Sequence, residues 1–320
     1  MYHRIAEERF DPWDLCVTPA HFDEHMALLA AYRAQTDLVS LNNPQGLCDN
    51  GSRVAVTFDD GYVDNITHAL PVLEKYDIPA TIFVVAGAIG RKREFWWDAL
   101  ARAIFEGAPE NPVLKLRLPT GTRMFHLDEK ELGRSAEAAS WRPDHMEPKT
   151  SRQRLFLDMW NIVVVLATAA QDDALDQILD WACCAHDPLP NRLPASEEAI
   201  VALAQHPLIR IGSHTQDHVS LTDLSPEEQW RQIEAGHRHL EALIGQTIDR
   251  FSYPFGRLDD SARRHIAHLG VEMGCCSLVG VVTGQADRFA MPRLQVTDRN
   301  GAHFKRWLNK GHGLLVGEGR

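Results

Sequence analysis

Two pairs of side chains in this sequence could perform metal chemistry. Asp59 and Asp60 stand side by side where the apolar run VAVTF ends before a glycine, and three residues separate His214 from His218 in GSHTQDHV. One aspartate would suffice for a turn or a helix cap, so the second calls for a cation or a proton to share. Two histidines and one carboxylate are suitable ligands for zinc and similar divalent transition metals, and they leave one coordination position open for water.

The histidine spacing alone is a weak indication. The chain has 16 histidines, and chance pairs such as His265 and His268 are expected. However, both the aspartate pair and the pair His214 and His218 directly follow predicted strands. Because active sites assemble at the carboxyl ends of parallel strands, the combination predicts one shared site.

The elements that must position these residues alternate between strand and helix. Apolar runs at 54–58 and 80–87 flank a stretch of helical periodicity, which predicts a βαβ unit and hence a parallel sheet. A later helix is predicted to begin at a capping box formed by Ser225 and Glu228 and to end at Gly245. Further strands are predicted near 208–214, 250–256, 271–277 and 289–296.

The segment between about 91 and 195 has a different character, because helical signals and aromatic residues dominate it. We interpret it as a mostly helical insertion into a single domain that spans residues 1–320. In α/β barrels such insertions usually lie on the loop face that carries the active site. Trp96 and Trp97 are predicted to pack within the insertion rather than to stack on a sugar, whereas Trp141 is a candidate substrate contact from a loop.

Composition narrows the possible functions. The net charge of -11 argues against a nucleic-acid partner, and no run of 18 apolar residues predicts a transmembrane segment. No secretory signal precedes the first predicted strand, which favours the cytoplasm. That strand begins almost at residue 1, which leaves open the possibility that the native chain starts further upstream.

Three motifs together resemble a known family. TFDDG, SHTQDH and SYPFG are similar to the motifs of the polysaccharide deacetylases, which are carbohydrate esterase family 4 hydrolases with a NodB-like homology domain. The opening YHRI and the downstream PRL agree with this resemblance, which covers most of the chain outside the insertion. It implies an α/β fold, a distorted (β/α) barrel, that removes acetyl groups from amino sugars. The implied cofactor is one divalent metal ion, zinc first, with cobalt, nickel or manganese as alternatives.

The resemblance also implies roles for four residues. Asp60, His214 and His218 would hold the metal, and Asp59 would be the general base. A metal such as Zn²⁺ lowers the pKa of bound water to ~7 and polarises the amide carbonyl. A positioned base adds a factor of roughly 10²–10⁴ in rate, so the two adjacent aspartates would have separate tasks.

The third motif departs from the family pattern of Arg-x-Pro-Tyr. The backbone N–H of Phe255 could still donate to an oxyanion, and Tyr253 is a further candidate contact to the substrate. The absent arginine would orient the base. Arg293, near the end of a late strand, could supply a guanidinium from another direction, and the alternative is an arginine at a surface or interface.

The general acid has no clear match, because the L-x-H motif of the family is absent. A histidine normally protonates the leaving amine. His3, at the end of the predicted first strand, is the first candidate and His312 the second. The alternative for each is a purely structural role.

The sequence therefore predicts a metal-dependent N-deacetylase of an acetylated amino sugar, which could be polymeric, lipid-linked or a small glycoside. One alternative is hydrolysis of another amide or of an O-acetyl ester. Another is a catalytically silent barrel that binds carbohydrate or a protein partner. The presence of both aspartates and both histidines argues against the silent barrel. The oligomeric state is not predicted.

Overall fold

The chain forms two compact units in a computed structural model that describes residues 1–33, 36–39, 41, 52–133, 140–283 and 285–312. Unit 1 comprises Met1–Glu7, Cys16–Gly90 and Pro194–Arg320, and unit 2 comprises Glu8–Leu15 and Arg91–Leu193. The predicted insertion overlaps unit 2, although the sequence did not indicate that residues 8–15 belong to it. A single domain over the whole chain stays a prediction.

The elements have the following bounds. The strands are β1 (Arg4–Ile5), β2 (Cys16–Val17), β3 (Thr36–Leu38), β4 (Ser52–Val54), β5 (Val56–Phe58), β6 (Ala80–Val84), β7 (Val113–Leu118), β8 (Gly121–His126), β9 (Ile209–Ser213), β10 (Arg250–Ser252), β11 (Met273–Val279) and β12 (Met291–Arg293). The α-helices are α1 (Pro19–Ala31), α2 (Leu70–Tyr76), α3 (Trp96–Ala101), α4 (Ser151–Val163), α5 (Thr168–Trp181), α6 (Glu197–Ala204), α7 (Pro226–Ile244), α8 (Asp260–His268) and α9 (Gly301–His312). Among the described residues, no helix combines the length and apolar character needed to cross a membrane.

Unit 1 contains a six-stranded parallel sheet in the order β5-β6-β9-β10-β11-β12. The first residues of the chain connect its two edges. The Tyr2 N–H donates to the Thr57 carbonyl at 2.8 Å, the Asp59 N–H donates to the Tyr2 carbonyl at 3.0 Å, and the Val296 N–H donates to the Met1 carbonyl at 2.9 Å. The sheet is therefore curled, and the predicted α/β fold of the deacetylase type is confirmed.

The strands are apolar because both faces of the sheet are covered. On β6, Ile82 and Val84 belong to the core on the helix-covered side. Phe83 lies between them and packs on the opposite side with Met273 and Met291. All five residues of β6 are buried, and the candidate site residues follow the carboxyl ends of its neighbours β5 and β9.

Helix α7 begins and ends where the sequence predicts. The Ser225 hydroxyl accepts from the Glu228 N–H at 3.3 Å, and the Glu228 carboxylate accepts from the Ser225 N–H, also at 3.3 Å. Gly245 ends the helix with φ 67°, a left-handed conformation that glycine adopts at little cost. The predicted capping box and helix end are confirmed.

Unit 2 has its own aromatic core, and its helices are accompanied by an antiparallel hairpin of β7 and β8. Trp96 and Trp97 are buried there, as predicted. Trp141 is only 2% exposed, and its indole N–H donates to the Met146 carbonyl at 3.0 Å. The prediction that Trp141 contacts the substrate is therefore wrong, because this side chain packs against Phe156 rather than facing solvent.

Candidate metal centre

The candidate metal ligands lie at the carboxyl edge of the unit 1 sheet. Asp60 is the second residue after β5, and His214 is the first residue after β9. Strands β5 and β9 both pair with β6, so their ends are close in space although about 150 residues separate them along the chain. His218 lies on the loop after β9, and the three side chains form a cluster that could hold a metal ion.

The distances in this cluster fit a tetrahedral ion. Asp60 Oδ1 lies 3.5 Å from His214 Nε2 and 3.3 Å from His218 Nε2. Ligands at 2.0–2.1 Å from a zinc ion are separated by about 3.3–3.4 Å in a tetrahedron. Asp60 Oδ1 is buried and has no hydrogen-bond partner among the described residues, which is costly unless a cation compensates it. The donor set therefore fits a divalent metal ion of the zinc type.

The neighbourhood of His214 determines which of its nitrogens faces the cluster. His214 Nδ1 lies 2.7 Å from the Ser252 carbonyl oxygen. Because a carbonyl only accepts, Nδ1 must carry the proton, and Nε2 offers its lone pair towards Asp60. Such an outer hydrogen bond orients a metal-binding imidazole and raises its basicity.

The backbone around the cluster is strained. Asp60, Thr215, His218 and Phe255 have φ values of 75°, 65°, 53° and 57°. A left-handed conformation costs a residue other than glycine roughly 1–3 kcal/mol. Such strain persists where the surrounding structure enforces it, and it is common at functional sites.

Close packing enforces this conformation in the loop that carries His218. A Cβ atom added at Gly236 of α7 would lie 2.4 Å from the Thr215 carbonyl carbon, and one added at Gly87 would lie 2.6 Å from the Gln216 carbonyl oxygen. The Gln216 N–H also donates to the Gln232 carbonyl at 3.0 Å. The loop is therefore held between α7 and the turn after β6.

Asp59 is held by an arginine, as the sequence suggested. Arg293 Nη1 and Nη2 each donate to one Asp59 oxygen at 2.7 Å. The Ser252 hydroxyl donates to Asp59 Oδ2 at 3.1 Å and accepts from Arg293 Nη2 at 2.8 Å. Arg293 thus occupies the orienting position in space, although it comes from β12. The alternative interpretation, in which Arg293 is a surface arginine, is wrong, because its side chain is buried.

Ser252 is a member of the site that the sequence did not predict. It stands at the motif position where the family has arginine, so this departure was the available signal. Its hydroxyl contacts Asp59 and Arg293, while its carbonyl accepts from His214. One residue at the end of β10 therefore orients both the candidate base and a candidate metal ligand.

The charges of these groups influence their pKa values. Burial alone would raise the pKa of Asp59, but the Arg293 guanidinium, together with the nearby His214 and His3, lowers it to about 2. Burial would likewise raise the pKa of Asp60, and the nearby imidazoles of His214 and His218 lower it well below its usual range. Both carboxylates are therefore ionised at neutral pH. Burial lowers the pKa of His218, which favours the neutral form that binds metals.

The two candidate acids differ in their relation to the site. His3 is half-buried; burial lowers its pKa, and the charges of Asp60 and Asp59 act in the opposite direction. The Asp59 N–H donates to the carbonyl of the preceding residue, Tyr2, at 3.0 Å, so His3 lies beside the candidate base. Asn65 holds the main chain of His3 by donating to its carbonyl at 2.8 Å. His312 ends α9, and its side chain lies outside the described part of the structure.

The two predicted substrate contacts of the third motif have different outcomes. The Phe255 ring lies 4.7 Å from the His218 ring, so this residue borders the cluster, and its role at an oxyanion stays a prediction. Tyr253 is completely buried, and its hydroxyl donates to the Phe289 carbonyl at 2.9 Å. The prediction that Tyr253 contacts the substrate is therefore wrong.

Comparisons with known proteins agree with this fold. A family model described as polysaccharide deacetylase matches residues 47–109 and 186–274. The chain is 23% identical over 300 residues to YxkH of Bacillus subtilis (strain 168), which is named as a polysaccharide deacetylase; the match covers 93% of this chain and 70% of that protein. The chain is therefore similar to polysaccharide deacetylases in two sequence segments and along most of the length of YxkH.

Two solved structures share the fold. One is the Streptococcus pyogenes deacetylase PplD in complex with acetate, with a TM-score of 0.56, 16% identity and coverage of 96% of this chain and 95% of that chain. The other is IcaB from Ammonifex degensii, with a TM-score of 0.55, 18% identity and coverage of 98% of this chain and 95% of that chain. At these identities the similarity shows the fold alone.

Proposed function

We propose that this chain is a metal-dependent hydrolase that removes N-acetyl groups from an amino sugar. Its similarity to polysaccharide deacetylases supports deacetylation. The observation that carries the finer proposal is the buried Asp60 Oδ1, which lies 3.3–3.5 Å from two imidazole nitrogens beside a second, arginine-bound carboxylate. A binding module would need neither this donor set nor an oriented base.

Each residue has a distinct task in this proposal. Asp60, His214 and His218 would hold one divalent ion, which supplies a Lewis acid for the acetyl carbonyl and lowers the pKa of water. Asp59 takes the proton from the attacking water. A carboxylate oxygen pair offers about four acceptor positions, and Oδ2 already accepts two of the three hydrogen bonds that Arg293 and Ser252 donate to the oxygen pair. Oδ1 is therefore the oxygen with more capacity left for a proton.

Arg293 has two effects on this base. Its charge keeps Asp59 ionised, so the base is available at neutral pH. The same charge makes Asp59 a weaker base than a carboxylate with a pKa near 7. The bidentate contact also fixes the direction of Oδ1, and correct positioning of a reacting group accounts for a large part of enzymatic rate enhancement.

Two further groups would complete the reaction. The backbone N–H of Phe255 would donate to the oxyanion of the tetrahedral intermediate. His3 would give a proton to the nitrogen as the C–N bond breaks, so that acetate and a free amine leave. The Streptococcus pyogenes relative binds acetate, which is the product expected here.

The test combines metal content with product analysis. His214→Ala and His218→Ala should each abolish copurifying metal and acetate release, since each removes one of three protein ligands. His239→Ala, which alters an exposed histidine of α7, is the matched control and should change neither. Full metal occupancy in the His214→Ala, His218→Ala double variant would contradict the site, and unchanged acetate release after chelation would contradict the metal dependence.

The competing function is hydrolysis of an O-acetyl ester or another amide, because the site recognises a carbonyl and not a sugar. Mass spectrometry of the product separates these possibilities, since N-deacetylation leaves a new amine and ester hydrolysis a new hydroxyl. Zinc as the metal and a cytoplasmic location stay predictions, and metal analysis of the purified protein tests the first.

A further inference from the structure

The β7–β8 hairpin lies in a part of the chain that the family model does not match. That model covers residues 47–109 and 186–274, and the hairpin occupies residues 113–126. Properties of the hairpin are therefore features of this chain and do not follow from the family. Segments added to a shared catalytic fold commonly determine which substrates bind.

The charge of the hairpin is opposite to that of the chain. Residues 113–126 read VLKLRLPTGTRMFH and contain Lys115, Arg117 and Arg123 but no aspartate or glutamate, whereas the whole chain has a net charge of -11. All three cationic side chains are exposed. Within the described ranges, none of the three forms an ion pair.

Two other arginines of unit 2 are neutralised. Arg91 lies 2.6 Å from an Asp172 oxygen, and Arg93 lies 2.5 Å from an Asp176 oxygen. The contrast matters because a cation that already has a carboxylate partner gains little from a second one. The hairpin cations keep their full capacity to bind an external anion.

The strand geometry orients two of these cations. Leu114 and Leu116 are buried, and successive side chains of a strand point to opposite faces. Lys115 and Arg117 therefore lie on the outer face, roughly 7 Å apart along the strand. Met124, which pairs with Lys115 across the hairpin, is 60% exposed and adds an apolar surface between the charges.

The hairpin is also held in place before any ligand arrives. The Gln177 side chain of α5 accepts from the Arg117 N–H at 2.9 Å and donates to the Arg117 carbonyl at 3.0 Å. The Asp173 carboxylate, which is on the same helix, accepts from the Gln177 amide at 3.0 Å and forms no ion pair with Arg117. Because the backbone of the strand is already fixed, it loses little conformational entropy on binding.

We propose that the outer face of this hairpin binds carboxylate groups of an acidic glycan, and, resting on the proposed function, that the polysaccharide deacetylated by this chain carries such groups. Arginine matches a carboxylate in bidentate geometry, and lysine adds a point charge. Met124, which shares this face with Lys115 and Arg117, offers apolar surface to sugar rings, whereas Arg123 pairs with Leu116 and lies on the other face. A nucleic acid is disfavoured, since a duplex carries one negative charge per ~1.7 Å and would be repelled by the rest of an acidic protein more strongly than a glycan with at most one carboxylate per sugar.

The binding test does not depend on catalysis. The probe is polygalacturonate, which is anionic and has no acetamide group, with neutral dextran for comparison. The variant Lys115→Glu, Arg117→Glu should bind polygalacturonate at least roughly 10-fold more weakly than the wild type, because two attractive charges become repulsive. The control variant reverses two other exposed arginines, Arg154 and Arg264, and should bind within about 3-fold of the wild type.

Several results would overturn the proposal. These are no binding of polygalacturonate by the wild-type protein, equal binding of dextran, equal loss in both variants, or tighter binding of duplex DNA than of polygalacturonate. Circular dichroism and thermal melting must show that the hairpin variant is folded; if it is not, the two single charge reversals replace it, and each should weaken binding.

A second measurement separates this surface from the proposed function. On acetylated acidic polysaccharide, the hairpin variant should release acetate more slowly at low substrate concentration, whereas release from N,N'-diacetylchitobiose should be unchanged. If the wild type released no acetate from either substrate but the hairpin variant lost polygalacturonate binding, the surface would be supported and the deacetylase function refuted. Equal rates of the two proteins on the acidic polysaccharide would refute the role of the hairpin in substrate choice.

Discussion

Replacement of Arg293 by methionine should reveal how strongly the site depends on one ion pair. The change removes both 2.7 Å hydrogen bonds to Asp59 and leaves that carboxylate buried without a cation. Removal of one partner of a buried ion pair costs about 3–5 kcal/mol of the free energy of unfolding. Since 1 kcal/mol corresponds to about 2–4 °C in a domain of 150–250 residues, the melting temperature should fall by roughly 6–20 °C.

The loss should depend on pH in a definite direction. In the wild type the pKa of Asp59 is about 2, below its ordinary value of 3.8, so the ion pair stabilises the fold above about pH 4 and this contribution is lost as the pH falls through 2. In Arg293→Met, burial instead raises the pKa of Asp59. Protonation of Asp59 at low pH then removes the unpaired buried charge and its destabilising effect. The difference in stability between the two metal-free proteins should therefore be larger at pH 7 than at pH 4.

A double-mutant cycle with Asp59→Asn tests this reasoning by urea denaturation. Asp59→Asn in the Arg293→Met background removes the unpaired charge, so the double variant should be more stable at pH 7 than Arg293→Met alone. Arg293→Lys, which keeps the charge but not the bidentate geometry, should be intermediate. If the two single effects added to within about 0.5 kcal/mol, or if the loss were equal at both pH values, the ion pair would not be the cause.

Three other changes test neighbouring features. Gly236→Ala should weaken metal binding, because its Cβ would overlap Thr215 at 2.4 Å; isothermal titration with zinc measures this, and unchanged affinity would show that the loop can shift freely. His3→Gln should flatten the alkaline limb of the pH profile for amides but spare activated esters, whose leaving groups need no proton; equal losses would exclude His3 as the acid. Trp141→Ala should lower stability by about 3–5 kcal/mol with kcat unchanged, and a selective rise in KM would restore Trp141 as a substrate contact.

The sequence predicted those parts of the fold and site that depend on local patterns. The strand before Asp59, the strand before His214 and the capping box of α7 follow from apolar periodicity and from spacings of a few residues. The cluster of Asp60 with His214 also followed, because parallel strands bring their carboxyl ends together. Each of these inferences needs only the elements themselves and one rule about sheets.

Other parts depend on contacts that no local pattern encodes. Ser252 meets Arg293 although 41 residues separate them in the chain, and a serine after two strand residues is too common to attract notice. Trp141 and Tyr253 were misassigned because a large aromatic residue near a motif is as compatible with a core as with a binding surface. The hairpin was predictable, since Leu114 and Leu116 alternate with Lys115 and Arg117, but the helical signals around it dominated the interpretation.

The short strand β10 makes the site sensitive to errors in sheet pairing. Only Arg250–Ser252 form this strand, and Phe251 and Ser252 point to opposite faces. A slip of one residue against β9 or β11 would exchange those faces, withdraw the Ser252 hydroxyl from Asp59, and displace the carbonyl that orients His214. Protein that had collapsed with this slip would keep its helices and most of its compactness, yet it would lack both an oriented base and an oriented metal ligand. Refolding yield measured by zinc uptake should therefore fall below the yield measured by circular dichroism.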